Sequence, residues 1–252
     1  MKIAVVTGAS SGLGREMARQ LGDRFGALKE IWIIARREER LKVLAEEMTV
    51  PVQILPLDLT EKSSLEILES ELRKENPEVV FLVNASGYGK IGPVEQLSLE
   101  EETGMVALNC QALCAVTRLV LPYMAKNGRI IQFASAAAFL PQPGFAVYAA
   151  TKSFVLSYSR ALNSELKPRG ICVTAVCPGP VKTEFFDIAE TTGTIPLYKR
   201  LVMARPEKVA ALALRESVMG KTVSVYGPLM KAFFLLSKIL PHSLLLSIME
   251  HL

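Results

Sequence analysis

The chain has 252 residues, half of them hydrophobic and 21% charged, with a formal net charge of +4 at pH 7. Such a composition can bury a sizeable core and excludes a disordered chain. Bases are interleaved with acids, as in "RREER" (36–40), and no Lys/Arg stripe carries interleaved aromatics, so no nucleic-acid partner is expected.

The N-terminal run "KIAVVT" (2–7) stops at Thr7-Gly8 after four apolar residues. That is too short for the apolar part of a secretion signal, which needs about 7–15 residues, and it reads as a buried first strand. Further strand patterns follow at 30–35, 52–57, 79–83, 129–134, 171–176 and 222–227, most of them apolar throughout rather than alternating. Uninterrupted apolar strands are buried on both faces, as in a parallel sheet covered by helices. Helical patterns fill the gaps at 12–26, 37–48, 61–74, 104–126, 147–167 and 206–219, with Thr60 expected to cap the helix near 61. Strict β-α alternation predicts an α/β fold: a doubly wound parallel seven-stranded sheet with helices on both faces. The expectation is one domain over 1–252, with a core at 1–227 and an apolar helical extension at 228–252. No stretch of eighteen apolar residues is present, so no ordinary transmembrane helix is expected.

At the junction of the first strand and first helix, "VVTGASSGLGREMA" (5–18) carries Gly8, Gly12 and Gly14. Glycines there let the backbone approach a pyrophosphate, and the helix start offers N–H groups and a positive dipole end. A tight strand-helix turn without a ligand would use the same residues. The same letters also satisfy G-x-S-x-G, the elbow of a hydrolase nucleophile, which needs a histidine later in the chain. The only histidines are His242 and His251, both in the tail. That disfavours the hydrolase and removes a His-based zinc site and a histidine general base, so no metal is expected. None of Cys110, Cys114, Cys172 and Cys177 forms a C-x-x-C pair and all lie in apolar runs. They read as buried free thiols of a reducing compartment, and the protein as cytoplasmic.

In dinucleotide folds an acid at the end of the second strand binds the adenosine ribose 2′-hydroxyl. Here the strand ends in Ala35, Arg36 and Arg37. A guanidinium grips a 2′-phosphate that a carboxylate would repel, so NADP (NADPH) is favoured over NAD, with Arg36 as the main contact. The alternative is two arginines at a solvated helix start. Asp58, after the third strand, is placed either at the adenine edge or as a cap of the next helix.

At this point the chain resembles the short-chain dehydrogenase/reductase family over about residues 1–227, and the resemblance implies a Rossmann fold. The family's T-G-x-x-x-G-x-G is "TGASSGLG" (7–14). Its aspartate is Asp58, its helix asparagine Asn109, its serine Ser135, and its Y-x-x-x-K pair Tyr148 and Lys152; "PGPVKTEF" (178–185) matches the segment after the sixth strand. The usual N-N-A-G is here Asn84, Ala85, Ser86 and Gly87; Ala85 removes an amide side chain, a cost in stability rather than in binding. The resemblance implies cofactor contacts at Gly8, Ser10, Ser11, Gly12, Leu13, Gly14, Arg36, Arg37, Asp58, Leu59, Asn84 to Gly87, Tyr148, Lys152, Pro178, Gly179, Val181 and Thr183. It implies catalytic roles for Asn109, Ser135, Tyr148 and Lys152, with Asn109 holding a water beside Lys152.

The i,i+4 spacing of Tyr148 and Lys152 puts phenol and ammonium on one helix face. A phenol of pKa about 10 is a sluggish base near neutrality, and lowering it by about three units takes about 4 kcal/mol. A cation at about 4 Å with an effective dielectric of about 20 supplies that much. The pair therefore reads as an acid/base device, with Ser135 orienting the substrate oxygen. Residues 184–205 stand where the family carries its lid; Phe185, Phe186, Ile188, Leu197, Tyr198 and Met203, with Phe139 and Phe145 nearby, favour an apolar carbonyl or alcohol substrate. Lys90 is a candidate partner for a substrate carboxylate. The leading expectation is an NADP-dependent oxidoreductase interconverting a secondary alcohol and a ketone. Its rival is a non-catalytic dinucleotide-binding sensor. Family members associate through the helices corresponding to 104–126 and 147–167, which implies a homo-oligomer. The tail, split by Pro241, suits a subunit interface, a roof over the substrate pocket, or peripheral contact with a membrane.

Overall fold

Alternate side chains of β1 (Lys2–Thr7) go to opposite faces of the sheet, and both faces are apolar. Ala4 and Val6, with Ile31 and Ile33 of β2 (Glu30–Ile34), form one core with α1 (Gly12–Arg24), α2 (Glu38–Glu47) and α8 (Pro206–Val218) through Met17, Leu21, Leu41, Leu44, Val209 and Leu214. Ile3, Val5, Trp32 and Ile34 face the other core, against Leu68 and Leu72 of α3 (Lys62–Glu75), Val116 and Val120 of α5 (Leu113–Val120), and Leu162 and Leu166 of α6 (Ala146–Leu166). The uninterrupted apolar strands are thus covered on both sides. The computed structural model describes residues 1–189 and 203–241.

The remaining strands are β3 (Val52–Leu55), β4 (Glu78–Asn84), β5 (Met124–Phe133), β6 (Cys172–Val176) and β7 (Val223–Ser224). They form one parallel seven-stranded sheet in the order β3-β2-β1-β4-β5-β6-β7. Strand order reverses between β1 and β4, and the loops leaving these strands part to open a crevice at their carboxyl ends. Across the next pair, Asn84 of β4 stands beside Gln132 of β5. The Asn84 amide donates to Gln132 Oε1 and Thr117 Oγ1, both at 3.0 Å, and Gln132 donates to the same Thr117 oxygen at 3.2 Å. All three are buried.

Several boundaries differ from the sequence reading. The helix expected at 104–126 starts at Leu99, as α4 (Leu99–Val106), because Ser98 and Glu101 form a reciprocal capping box. It continues through a π turn (Ala107–Ala112) into α5, and residues 124–126 belong to β5. Helical structure runs from Leu99 to Tyr123, which by length and composition alone is enough to cross a membrane; the expectation of no such helix is corrected on that point. Its Met105, Ala112, Leu113, Val116 and Val120 are buried in the fold. Thr60 does not cap α3: its hydroxyl donates to Asp58 Oδ1 at 2.7 Å, and Glu61 takes the cap position without a side-chain bond. Two further helices are α7 (Phe185–Ala189) and α9 (Pro228–Ile239), the latter in the tail.

β1 and β4 meet where the chain leaves the sheet. Gly8 has φ +69°, and a Cβ there would lie 2.7 Å from the backbone of Ala85 and Ser86. Gly8→Ala should therefore destabilise the fold by about 2 kcal/mol or more, combining a strained φ with a backbone collision. Urea unfolding followed by fluorescence of Trp32, the single tryptophan and fully buried, would measure it.

Candidate active site

The crevice is a groove of about 1220 Å³ across the carboxyl ends of the central strands. Gly8, Ser10, Ser11, Gly12, Leu13 and Gly14 line one wall. Ser11 caps α1 without a side-chain bond, so the first N–H groups of α1 are left for an anion. The loop is held close to its neighbours: Gly14 packs on the Gly8 carbonyl, and a Cβ on Gly12 would meet Thr183 at 3.3 Å. Thr7 Oγ1 accepts the N–H groups of Ala85 and Ser86 at 3.1 and 3.2 Å. The Ala85 side chain packs on the adjoining core, so the missing amide is replaced by hydrocarbon contact. Ala85, Ser86 and Gly87 line the groove; Asn84 does not, being held in the buried amide network. These features fit a dinucleotide: glycines without room for a Cβ, an open helix start, and a groove of about 1220 Å³ running from the glycine loop to Tyr148.

One end of the groove is charged and solvent-facing. Arg36, with its side chain 71% exposed, lies 3.6 Å from Asp58. Burial alone would push the Asp58 carboxyl up, but hydrogen bonds from Thr60 and the Arg36 charge hold it below its ordinary value. Asp58 and Leu59 both line the groove. Arg37 donates to Ser10 Oγ at 3.1 Å, Ser11 Oγ at 2.9 Å and Glu184 Oε2 at 3.0 Å, and Arg40 also pairs with Glu184. Arg40 and Glu184 were not singled out in the sequence. Arg40 had a signal, since it lies one turn along α2 from the two arginines at the strand end. Glu184 had none, because its partners are 147 and 144 positions away.

The other end is aromatic and buried. Tyr148, 7% exposed, stacks on Phe145 at 4.2 Å and meets Phe185 at 5.3 Å. Burial pushes its pKa up to about 12, opposed by a hydrogen bond with Ser135. Burial also drives the Lys152 amine down to about 8. Its Nζ sits 5.6 Å from the Tyr148 ring centroid and donates to the Phe133 carbonyl at 2.8 Å. The expected lowering of the tyrosine is thus not present in the protein alone. The aromatic walls disfavour phenolate, and the ammonium that was to favour it is committed to a backbone carbonyl and half-titrated near pH 8.

Ser135 follows β5 and starts a short 3₁₀ turn, Ala136–Phe139, where its Oγ accepts from Ala137 N at 3.1 Å. Asn109 lies inside the π turn, fully buried and outside the groove lining. Its amide accepts from Tyr88 N at 3.0 Å and donates to Tyr88 O at 2.9 Å and Thr151 Oγ1 at 3.1 Å. It therefore clasps the loop after β4 instead of presenting its side chain to a water, although its Oδ1 and Lys152 Nζ both lie beside Gly87. Tyr88 was missed in the sequence; it lines the groove and is pinned by this clasp.

Pro178, Gly179, Val181 and Thr183 form the wall facing the glycine loop. The Pro178 carbonyl accepts from Ala136 N at 2.8 Å, and Val181 bridges Ala204. The tail folds back here: Met230 packs on Gly179, Phe234 lies 4.7 Å from Phe139, and Leu229, Met230 and Phe233 line the groove. Phe185, Phe186 and Ile188 line it from α7; Leu197 and Tyr198 lie outside the described residues. Lys90 lines the groove, but its ammonium pairs with Glu101 at 3.3 Å, which corrects the idea of a free substrate contact. The thiols are also corrected in part: all four are free, but only Cys177 is buried, while Cys110, Cys114 and Cys172 are partly exposed.

The family model for short chain dehydrogenases matches residues 2–192. Sulfoacetaldehyde reductase 2 of Chromohalobacter salexigens is 32% identical over 232 residues, covering 88% of this chain and 91% of that one. Among solved structures, a short-chain dehydrogenase from Sphingobium yanoikuyae in complex with NADPH is similar at 30% identity and TM-score 0.78, covering 89% of this chain and 87% of that one. A bulky-bulky ketone specific alcohol dehydrogenase from Comamonas testosteroni is similar at 29% identity and TM-score 0.74, covering 89% and 86%. With a glycine-walled groove that ends on a buried tyrosine and lysine and a half-buried serine, the chain belongs to the short-chain dehydrogenase/reductase family and is a dehydrogenase/reductase enzyme.

Proposed function

We propose that the enzyme interconverts a secondary alcohol and a ketone on an apolar substrate with NADP(H), Tyr148 acting as general acid/base. The observation that carries this reading is the convergence of Tyr148, Ser135 and Lys152 at the apolar end of a groove whose other end gathers Arg36, Arg37, Ser10 and Ser11. A dinucleotide sensor needs no proton donor, which argues against that rival. The bound nicotinamide supplies or accepts the hydride. Ser135 Oγ orients the carbonyl oxygen toward the phenol, and Tyr148 delivers its proton as charge builds on that oxygen. A phenol held protonated by its surroundings is in the right state for reduction. Lys152, mostly cationic at neutral pH, stabilises the phenolate left behind, and Asn109 acts as a positioning residue that holds the Tyr88 loop against the site. In this reading Val181 and Thr183 would hold the nicotinamide carboxamide and Gly87 would lie beside the ribose; all three line the groove.

Phe185, Phe186, Ile188, Leu229, Met230 and Phe233 give the substrate end hydrocarbon walls, which favours a bulky apolar ketone; the similar ketone-specific alcohol dehydrogenase supports the same class. Association through the helices from Leu99 to Leu166 is part of this reading, because Val106 and Phe154 are left exposed there. The outer face of α9 exposes Leu235, Leu236 and Ile239, with Lys231 and Lys238 also exposed on this helix, which suits a subunit contact or a lipid surface. Removing residues 229–252 should produce a smaller or aggregating species by light scattering. A truncated protein of unchanged size that no longer sediments with liposomes would favour the lipid surface.

Tyr148→Phe should cut turnover by about 10²–10⁴-fold while NADPH affinity stays within a few-fold; steady-state rates and calorimetry check both, and an active variant would refute the mechanism. NADPH should bind at least about tenfold tighter than NADH, a difference of about 1.4 kcal/mol, and Arg36→Ala should erase most of that gap. Equal affinities in the native enzyme would end the assignment. The Lys152 amine titrates near 8 in the fold against 10.5 when unfolded. Between those values the unfolded chain binds more protons, so this residue makes stability rise with pH across the interval. In Lys152→Met that contribution should vanish, seen as a smaller gain (or larger loss) in urea midpoint from pH 8 to pH 10 than in the native protein.

A further inference from the structure

We propose that Glu184 is an internal stand-in for the 2′-phosphate of NADP(H), holding the arginines of that site in the free enzyme and giving them up when the phosphate arrives. This rests on the NADP reading above and adds a residue that sets how strongly the 2′-phosphate is preferred.

The placement of the carboxylate carries the inference. Glu184 comes from the segment after β6, yet it crosses the groove to pair with Arg37 and Arg40 of the β2–α2 corner. The same Arg37 guanidinium is held by the hydroxyls of Ser10 and Ser11. Two guanidinium groups therefore meet at one anion, with two serine hydroxyls beside the first of them, and the anion present is a side chain. The acids nearest in sequence, Glu38 and Glu39 of the first turn of α2, pair with Lys42 instead; the carboxylate on Arg37 and Arg40 is imported from far along the chain. Hydrogen bonds from Arg40 and then Arg37 outweigh a small burial cost and hold the Glu184 carboxyl below its ordinary value, so it is ionised.

A phosphate monoester carries about −1.5 to −2 charges and three acceptor oxygens against one charge and two oxygens for the carboxylate. The side chains involved are 39–47% exposed, so the existing pairs are weakened by solvent and exchange is cheap. A nucleotide with a 2′-phosphate takes Arg37 and the serine hydroxyls; one without it leaves the Glu184 pairs in place. Glu184 thus competes only with the phosphorylated cofactor and lowers its advantage. The exchange also reaches the substrate end, because Glu184 immediately precedes α7, whose Phe185 packs on Tyr148. Arriving cofactor loosens the attachment of the segment that walls the substrate pocket.

The test is calorimetric titration of native enzyme and Glu184→Gln with adenosine 2′,5′-bisphosphate and with 5′-AMP. The expected result is at least fivefold tighter bisphosphate binding to the variant, with 5′-AMP within twofold of native. Glu184→Ala should repeat the gain, showing that loss of the carboxylate and not a new amide contact is responsible. Bisphosphate binding that is unchanged or weaker in both variants overturns the exchange. Native enzyme that binds the two nucleotides equally well overturns the NADP reading itself, and the exchange with it.

Discussion

The approach of two backbones governs the geometry of the site. Where β1 and β4 separate, Gly8 lies against the peptide of Ala85 and Ser86, and Thr7 Oγ1 accepts both of their N–H groups. Nothing larger than glycine fits there, so the loop entering α1 and the loop leaving β4 have a fixed separation. The open helix start, Gly87 in the groove lining and the Tyr88 loop clasped by Asn109 are all hung from that junction. A parallel sheet provides the crevice in general; this contact sets its width.

The two ends of the groove use charge in opposite ways. At the arginine end the ion pairs are exposed, weak individually and easy to exchange, which suits a site that must accept and release a charged ligand. At the tyrosine end Tyr148 is buried against Phe145 and Phe185, with Phe139 and the tail's Phe234 packed together nearby, and a charge is costly there. Lys152 is buried at that cost, satisfied by one carbonyl and partly deprotonated near pH 8.

Much of the architecture was legible in the sequence because its signals are local. The β-branched runs without alternation marked buried parallel strands, and the glycine spacing after β1 marked the anion loop. The capping box at Ser98 and Glu101 was also written locally, in "SLEE", but the helix was started later than the chain starts it. What escaped was non-local. Glu184 reaches partners more than a hundred residues away, and Met230 closes on Gly179 from the tail. The raised pKa of Tyr148 follows from burial, in part against Phe185 from a distant segment, whereas the spacing offered only Lys152 one turn along. Asn109 matched by motif, but the Tyr88 backbone that occupies its amide could not be seen from spacing.

The amide network between β4 and β5 has a consequence for how the sheet finds its alignment. Strands that are apolar on both faces carry little information about register, since sliding one residue exchanges one hydrocarbon surface for another. Asn84, Gln132 and Thr117 break that degeneracy. In the native alignment the Asn84 amide nitrogen reaches both Gln132 and Thr117, and Gln132 reaches Thr117; in a shifted one, Asn84 faces hydrocarbon and loses these partners, at the cost of a buried, unpaired amide donor. A single polar triplet in the middle of an oily sheet thus acts as an index mark, and the carboxyl ends of β4 and β5, from which Gly87 and Ser135 emerge, arrive in step because of it.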